Sequence, residues 1–219
     1  MTTPFGLPIT EDTVGALSRY HGKKVITQDD CAREAMRLIH AEGKNLDALD
    51  HAWKLKENYG NGMSTLVLVY NATGARVTLE QRHDWQGYVY RNQPPPSMHN
   101  GQWISFLHVG TGTASRAGRV FRGRDKNGKI RDFVVAWFIP LNLQPTAAYT
   151  EIGDQDAFTG RWPYVGARLH TAKRITRASD HNCASTVSID GYTTSQCIAV
   201  LQHNFEPIPS ERDDPAEWP

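Results

Sequence analysis

The sequence predicts a mainly β protein, in which a two-layer β-sandwich carries two N-terminal helices packed on it. Two observations lead to this fold class. From Met63 onward, seven or eight short segments with strand-like patterning alternate with turn signals, which is typical of a sandwich. Before Met63, apolar residues recur at helical spacing instead. We therefore expect a helical segment over residues 1–62, a β-sandwich domain over 63–210 and a flexible, Pro-rich, acidic tail over 211–219.

The first helix is placed near residues 28–42. Thr27 supplies a capping hydroxyl, acidic residues follow in the first turn, and Gly43 is a suitable stop. The second helix is expected from about residue 46 to residue 59, with Leu46, Leu49 and Trp53 on one face.

The strands follow from short runs of β-branched and aromatic residues. Two hairpin turns are expected, at residues 125–128 and at Asp190-Gly191. Residues 156–170 are expected to form either a short helix or a long loop. The expected strands cover residues 66–70, 75–79, 103–109, 118–122, 130–139, 147–152, 184–189 and 192–203.

Bulk composition excludes several classes of function. The chain has 219 residues and a formal net charge of +1, so binding to nucleic acid through bulk charge is not expected. No apolar run is long enough to span a bilayer, and the start has no secretory signal pattern. We expect a cytoplasmic protein, or one released without a signal peptide. No metal-ligand spacing, catalytic motif or nucleotide loop is evident, so we expect no cofactor, no metal and no enzyme activity. The three cysteines are expected to be free thiols.

Large aromatic residues stand beside Gly and Pro between residues 83 and 109. The stretch includes Trp85 and Tyr88, and we expect these rings to lie in loops and to contact something outside the chain. Trp162 and Tyr164 flank Pro163 in a second such segment. They could enclose a quaternary ammonium group by cation–π attraction, or Trp162 could pin the loop to the core.

Two further patterns each leave alternatives open. His83-Asp84 could be an acid–base pair, although a structural role for Asp84 in a turn or cap is the simpler reading. The basic residues between 116 and 131 could form a solvated face or contact phosphate groups at a membrane surface.

Three blocks of sequence resemble one known family. They are Val69-Tyr70-Asn71-Ala72-Thr73-Gly74, His83-Asp84-Trp85-x-Gly87, and Asn100-Gly101-Gln102-Trp103 with Phe106-Leu107-His108-Val109. These blocks resemble the nakanori-like family, which includes the 23-kDa jasmonate-induced proteins of plants. That family is similar in fold to the actinoporins, whose β-sandwich recognises the head group of sphingomyelin.

The resemblance implies a head-group site. Laid on this chain, the actinoporin pattern places Gln86 and Phe138 where actinoporins have serine, and it retains Pro140. Tyr149, Trp162 and Tyr164 are the candidates for the aromatic contacts, and Arg161 is a candidate phosphate contact. The complete predicted lipid-head-group set is Trp85, Gln86, Tyr88, Phe138, Pro140, Tyr149, Trp162 and Tyr164.

The resemblance also implies a function. We expect peripheral binding to sphingomyelin, in sphingomyelin/cholesterol membranes, at the outer face of the target membrane. The near-neutral net charge favours zwitterionic lipid over anionic lipid. The helix near residues 28–42 carries many charges, so we expect attachment without pore formation. The alternatives are a lectin-like, carbohydrate-binding β-sandwich and a stress or defence protein that acts through a protein partner.

Overall fold

The computed structural model describes residues 3–141 and 144–205. Four α-helices and eleven strands occur in the described part of the chain. The helices are α1 (Glu11–Gly15), α2 (Gln28–Arg37), α3 (Lys44–Tyr59) and α4 (Trp162–His170). The strands are β1 (Ser64–Ala72), β2 (Val77–Gln86), β3 (Tyr88–Val89), β4 (Ser97–Met98), β5 (Trp103–Val109), β6 (Ala114–Arg124), β7 (Ile130–Pro140), β8 (Ala147–Asp154), β9 (Ile175–Asp180), β10 (Cys183–Ile189) and β11 (Thr194–His203).

The strands form two sheets, so the predicted sandwich is confirmed. The first sheet has the order β3-β5-β1-β11-β10-β9, and the second has the order β4-β2-β6-β7-β8. Apolar side chains of both sheets meet between them, with Trp137 and Phe106 completely buried. All nine residues of β1 are buried because this strand has the second sheet on one side and helices on the other.

The helices cover the outer faces of both sheets. On the first sheet, the Tyr70 hydroxyl donates to the Ala35 carbonyl at 2.6 Å, and the Trp103 indole N–H donates to the Ile39 carbonyl at 2.9 Å. These bonds fix α2 and the segment after it against β1 and β5. On the second sheet, α4 packs against β7 and β8 through Val165 and Leu169. The molecule is therefore layered as helices, sheet, sheet and helix.

One end of the sandwich collects four loops, and we call it the loop end. In the first sheet, Ser64 lies beside Thr194 and Val109. In the second sheet, Ala114 lies beside Pro140. Gly87 joins the two sheets at this end. The loop end therefore holds the connections at residues 86–88, 109–114 and 190–193, together with residues 140–141 and 144–147 of the connection between β7 and β8.

The sequence located the N-terminal helices well, with small errors at their boundaries. Thr27 caps α2 through a capping box with Asp30, as its position predicted. The helix ends at Arg37 rather than near residue 42, because a 3₁₀ turn at Ala41–Gly43 follows. The short helix α1 was not predicted. The predicted tail, 211–219, lies outside the described residues.

The predicted two-residue turn at Asp190-Gly191 is wrong. Ile189 pairs with Cys197, so residues 190–196 form a longer connection. The Ser195 hydroxyl accepts from the Tyr192 backbone N–H and donates to a nearby backbone carbonyl, which stabilises it. In this register Cys183 pairs with His203, six positions along the ladder from Cys197. Both thiols face the core, and all three cysteines are free and buried, as expected.

Three of the basic residues between 116 and 131 are paired with carboxylates, whereas Arg124, Lys126 and Lys129 are exposed, as a solvated face requires. Arg119 is 1% exposed. Arg122 donates to Asp132 at 2.7 Å, and the buried Arg131 donates to Asp125 at 3.0 Å. Asp132 and Asp125, which dilute the charge of the stretch, are the partners of Arg122 and Arg131, and Arg119 pairs with Asp84. Neither of the two readings offered for the stretch therefore holds for these three arginines.

Candidate functional site

Trp85 and Trp162 lie together on the outer face of the second sheet. Their rings meet edge to face with centroids 5.8 Å apart, and His83 stacks on Trp162 at 5.0 Å. Gly118 of β6 makes room for the contact, because a Cβ atom there would lie 2.7 Å from the Trp162 ring. Both indoles are half-buried. They fasten α4 to the sheet, which corresponds to the pinning role considered for Trp162.

The loop positions expected for these aromatic residues are wrong. Trp85 lies within β2, and Trp162 is the first residue of α4, with Pro163 in the first turn. Proline is favoured there because the backbone N–H of any residue at that position would have no partner within the helix, so its absence costs nothing. Of the aromatic residues between 83 and 109, Tyr88 is the one with a ring half in solvent, whereas Trp103 and Phe106 are buried in β5.

The guanidinium group of Arg116 covers two of the aromatic faces. Its Cζ atom lies 5.0 Å from the Trp85 ring centroid and 5.5 Å from the Phe138 ring centroid. Its Nη2 donates to the Gly166 carbonyl of α4 at 2.7 Å. Burial lowers the pKa of Arg116 from its ordinary value. A cation of the chain itself therefore occupies the space between Trp85 and Phe138.

Arginines also cover the two tyrosines beside α4. The Arg161 guanidinium lies 4.2 Å from the Tyr164 ring centroid, and that of Arg168 lies 6.0 Å from the Tyr149 ring centroid. Tyr149 is 6% exposed, and its hydroxyl donates to Glu151. Burial, followed by the hydrogen bond to Glu151, raises the pKa of Tyr149. Tyr149 thus belongs to the packing between β8 and α4.

The remaining predicted site residues lie at the loop end. Gln86 donates to the Thr113 hydroxyl at 3.4 Å, and Pro140 ends β7 beside Ala114. Tyr88 follows Gly87, whose φ of +112° and whose contact with the Val109 carbonyl leave no space for a side chain. The structure therefore divides the predicted set into a packed group around α4 and a group at the loop end.

The loop end displays apolar side chains that sequence reasoning missed. Leu141 is 62% exposed, Ile175 is 55% exposed and Tyr192 is 72% exposed, and each lies at this end together with Tyr88. Leu141 and Tyr192 line a shallow pocket of about 330 Å³, with Arg174 and Pro145. The available signal was weak: Leu141 follows the proline that ends β7, and Tyr192 follows the Asp-Gly turn signal.

Asp84 is the anionic partner of a buried arginine. Its Oδ1 lies 2.8 Å from Nη1 of Arg119 and 3.4 Å from Nε2 of the buried His108. Burial raises the pKa of Asp84, but the contact with His108 and the charge of Arg119 outweigh it and lower the pKa to about 2. The arrangement favours a structural role for Asp84 over the acid–base alternative with His83, but as the partner of Arg119 within β2 and not as a turn or cap residue.

Membrane-spanning helices and metal-ion clusters are both absent from the described residues. No helix in residues 3–141 and 144–205 is both long and apolar enough to cross a bilayer. Over the same ranges, no group of three His, Cys, Asp or Glu side chains is placed to hold a metal ion.

The chain is similar to known proteins over most of its length. A family model described as "Nakanori-like protein" matches residues 5–204. The 23 kDa jasmonate-induced protein of Hordeum vulgare is 34% identical over 92% of this chain and 98% of its own length. A jasmonate-induced protein homolog of Atriplex canescens is 26% identical over 76% of this chain and 94% of its own length.

Solved structures give the same result for the fold. The crystal structure of nakanori, described as a lipid-binding protein, superposes with a TM-score of 0.83 at 24% identity, covering 92% of this chain and 100% of nakanori. A Xerocomus chrysenteron lectin superposes with a TM-score of only 0.43, over 64% of this chain. The prediction that the chain is not an enzyme agrees with the matched family and with the description of nakanori.

Proposed function

Because the chain belongs to the nakanori-like protein family, we propose that it is a peripheral protein that binds membrane lipid through the loop end. The description of nakanori as a lipid-binding protein supports this assignment for the family, and the surface of this chain supports it for the loop end in particular.

One observation carries the proposal. Nine large apolar side chains are exposed among the described residues, and four of them, Tyr88, Leu141, Ile175 and Tyr192, lie at the loop end. Exposed apolar residues scattered singly need no explanation, but a group at one end of a domain is typical of an interaction surface. Two of the four are tyrosines, which favour the bilayer interface because the ring can be buried while the hydroxyl stays hydrated.

The magnitudes suit reversible attachment. Complete burial of a Leu or Ile side chain stabilises by about 1.5–3 kcal/mol. Leu141 and Ile175 are 62% and 55% exposed, so each has about half of that to gain at a membrane, on the order of 1 kcal/mol. Four such side chains together would give weak or moderate membrane affinity, which multiple contacts with lipid head groups would raise.

The finer parts of the proposal rest on the family resemblance. The first is that the ligand is sphingomyelin complexed with cholesterol. The second is that the protein forms no pore. The packing of α2 supports the second part. Cys31 and Ala35 are buried beneath the helix, and Asn100 donates to the Cys31 carbonyl at 2.9 Å. Releasing α2 to line a pore would break these contacts. Dye release from sphingomyelin/cholesterol vesicles at saturating protein would contradict this part.

A matched pair of substitutions tests the proposed surface. Leu141 at the loop end and Leu46 on α3 are both 62% exposed. Leu141→Ser and Leu46→Ser therefore remove equal apolar surface, the first within the proposed docking surface and the second outside it. In flotation with sphingomyelin/cholesterol vesicles, Leu141→Ser should weaken binding about fivefold and the Leu141→Ser/Tyr192→Ser double variant by more than tenfold. Leu46→Ser should bind like the unchanged protein. Equal binding by all variants would reject the loop end as the docking surface. Release of bound protein by simple sugars would favour the lectin-like alternative.

A further inference from the structure

We infer that the loop end and the adjoining connection between α4 and β9 dock on a bilayer that carries anionic phosphate head groups. The inference rests on the proposed membrane-lipid function and adds the chemistry of the lipid. Three features of the described residues support it: the distribution of charge, the position of the basic side chains beside the exposed apolar ones, and the arginines that cover the aromatic faces.

Charge is unevenly distributed although the whole chain carries only +1. Residues 157–179 contain no Asp or Glu. The five basic residues of this stretch are Arg161, Arg168, Lys173, Arg174 and Arg177. The near-neutral net charge, which favours zwitterionic lipid when the chain is taken as a whole, therefore conceals one basic strip, formed by these five residues.

The basic strip reaches the loop end. The Lys173 carbonyl accepts a hydrogen bond from the Ala148 backbone N–H at 3.0 Å, which places the connection beside the start of β8. Lys173, Arg174 and Arg177 are exposed, and none of them forms an ion pair within residues 3–141 and 144–205. Some arginines of the molecule are paired instead: Arg119, Arg122 and Arg131 each bind a carboxylate. Unpaired guanidinium groups are free to meet an external anion.

Basic and apolar groups alternate on one surface. Arg174 lines the same pocket as Leu141 and Tyr192, and Ile175 is the next residue along the chain. Apolar side chains that enter a bilayer, surrounded by Lys and Arg that meet lipid phosphates, are the combination found on proteins bound to anionic membranes. A nucleic acid would use the basic residues but not the exposed Ile175 and Leu141. The apolar component therefore favours a lipid surface.

The aromatic faces give the same indication. A quaternary ammonium group needs an open aromatic cage, but Arg116 fills the space between Trp85 and Phe138, and Arg161 covers Tyr164. The Arg116 guanidinium is further held by its hydrogen bond to the Gly166 carbonyl. These faces therefore form no open choline cage, and the phosphate contacts of the inference rest on Lys173, Arg174 and Arg177.

Vesicle binding tests the inference with the full-length protein. The probes are vesicles of phosphatidylcholine alone, of phosphatidylcholine with phosphatidic acid, and of sphingomyelin with cholesterol, each in about 0.1 M and about 1 M NaCl. We expect phosphatidic acid to strengthen binding relative to phosphatidylcholine alone, and we expect this gain to be largely lost in high salt, where charges are screened over about 3 Å.

A charge variant and its matched control locate the effect. Replacing Lys173, Arg174 and Arg177 by Gln should weaken binding to the anionic vesicles about a hundredfold, since each basic group near an anionic surface contributes about fivefold. The control replaces three exposed basic residues away from the strip, Lys24, Arg82 and Lys126, by Gln. It changes the net charge equally, and it should bind nearly as the unchanged protein does. Unchanged thermal unfolding of both variants confirms that they fold.

The outcomes separate this inference from the proposed function. Binding to sphingomyelin/cholesterol vesicles, with no salt-sensitive gain when phosphatidic acid is added to phosphatidylcholine, would overturn the inference and leave the function standing. Failure of the folded protein to bind any vesicle would overturn both. Salt-sensitive binding that an oligonucleotide abolishes and that Leu141→Ser leaves unchanged would indicate a general polyanion site, and would also overturn the inference.

Discussion

The Asp84–Arg119 pair gives the most direct test of how the second sheet is stabilised. Arg119 lies between the two sheets at 1% exposure, with its guanidinium carbon 5.3 Å from the Trp137 ring centroid. Asp84 is its carboxylate partner at 2.8 Å. Asp84→Asn keeps the size of the side chain but leaves a buried positive charge without its counter-charge. Breaking a buried pair costs about 3–5 kcal/mol, and since the Asp84 side chain is 33% exposed we discount this to about 2 kcal/mol.

For a chain of this length, that cost should lower the melting temperature by about 6 °C at neutral pH. The measurement is thermal unfolding followed by circular dichroism. Asp50→Asn is the control, because the Asp50–Lys54 pair is exposed on α3 and contributes little. A melting temperature for Asp84→Asn within 1 °C of the unchanged protein would refute the claim that Arg119 depends on this carboxylate.

The pH dependence provides a second readout of the same pair. The pKa of Asp84 is lowered from 3.8 to about 2 in the folded protein. A carboxyl group with a depressed folded pKa stabilises above its unfolded pKa, and this contribution is lost as the pH falls through the folded pKa. The difference in unfolding free energy between the unchanged protein and Asp84→Asn should therefore be full at pH 6 and shrink between about pH 4 and pH 2. A difference that stays constant over this range would contradict the assignment.

Two further predictions concern packing and thiol reactivity. Gly118→Ala should lower the free energy of unfolding, measured in urea, by about 1–3 kcal/mol, because the new Cβ would lie 2.7 Å from the Trp162 ring. The control, Gly15→Ala, has its nearest contact at 3.5 Å and should have a smaller effect. Equal effects of the two substitutions would contradict the close approach of α4 to β6. Burial raises the pKa of the Cys31 thiol to about 11 and that of Cys183 to about 12, and burial also raises that of Cys197. A thiol-reactive disulfide reagent at pH 8 should therefore label none of the three in the native protein and all three in denaturant, and rapid native labelling would show that the core opens.

Local signals predicted much of the fold. The Thr27 cap, the turn at residues 125–128 and most strand patterns depend on neighbours in sequence, and they appear near their predicted places. Among the exceptions are β2, which extends to Gln86, and β9, which was not predicted. The family resemblance drawn from the central motifs is confirmed as well. Asp190-Gly191 shows the limit of such signals: the dipeptide favours a two-residue turn, but Ser195 stabilises a longer connection that only the structure reveals.

The candidate site was harder to predict because it depends on contacts distant in sequence. Trp85 looked like a loop residue beside Gly87, but α4 packs on that face of β2 and half-buries the ring. The meeting of residues 140–141 and 144–146 with residues 191–193 depends on how the two sheets pack against each other, which no local pattern encodes. Arg174 was unremarked for the same reason, since its place beside Tyr192 follows from that meeting.

Environment-sensitive labelling at the loop end tests the central claim most directly. The native thiols are buried, so a cysteine introduced by Tyr192→Cys or by Leu46→Cys can be labelled alone with a nitrobenzoxadiazole dye. On addition of vesicles that the protein binds, the dye at position 192 should brighten and shift to shorter wavelength as it enters the bilayer, while the dye at position 46 should not change. A shift at position 46 with none at position 192, in protein shown to be vesicle-bound, would contradict docking through the loop end.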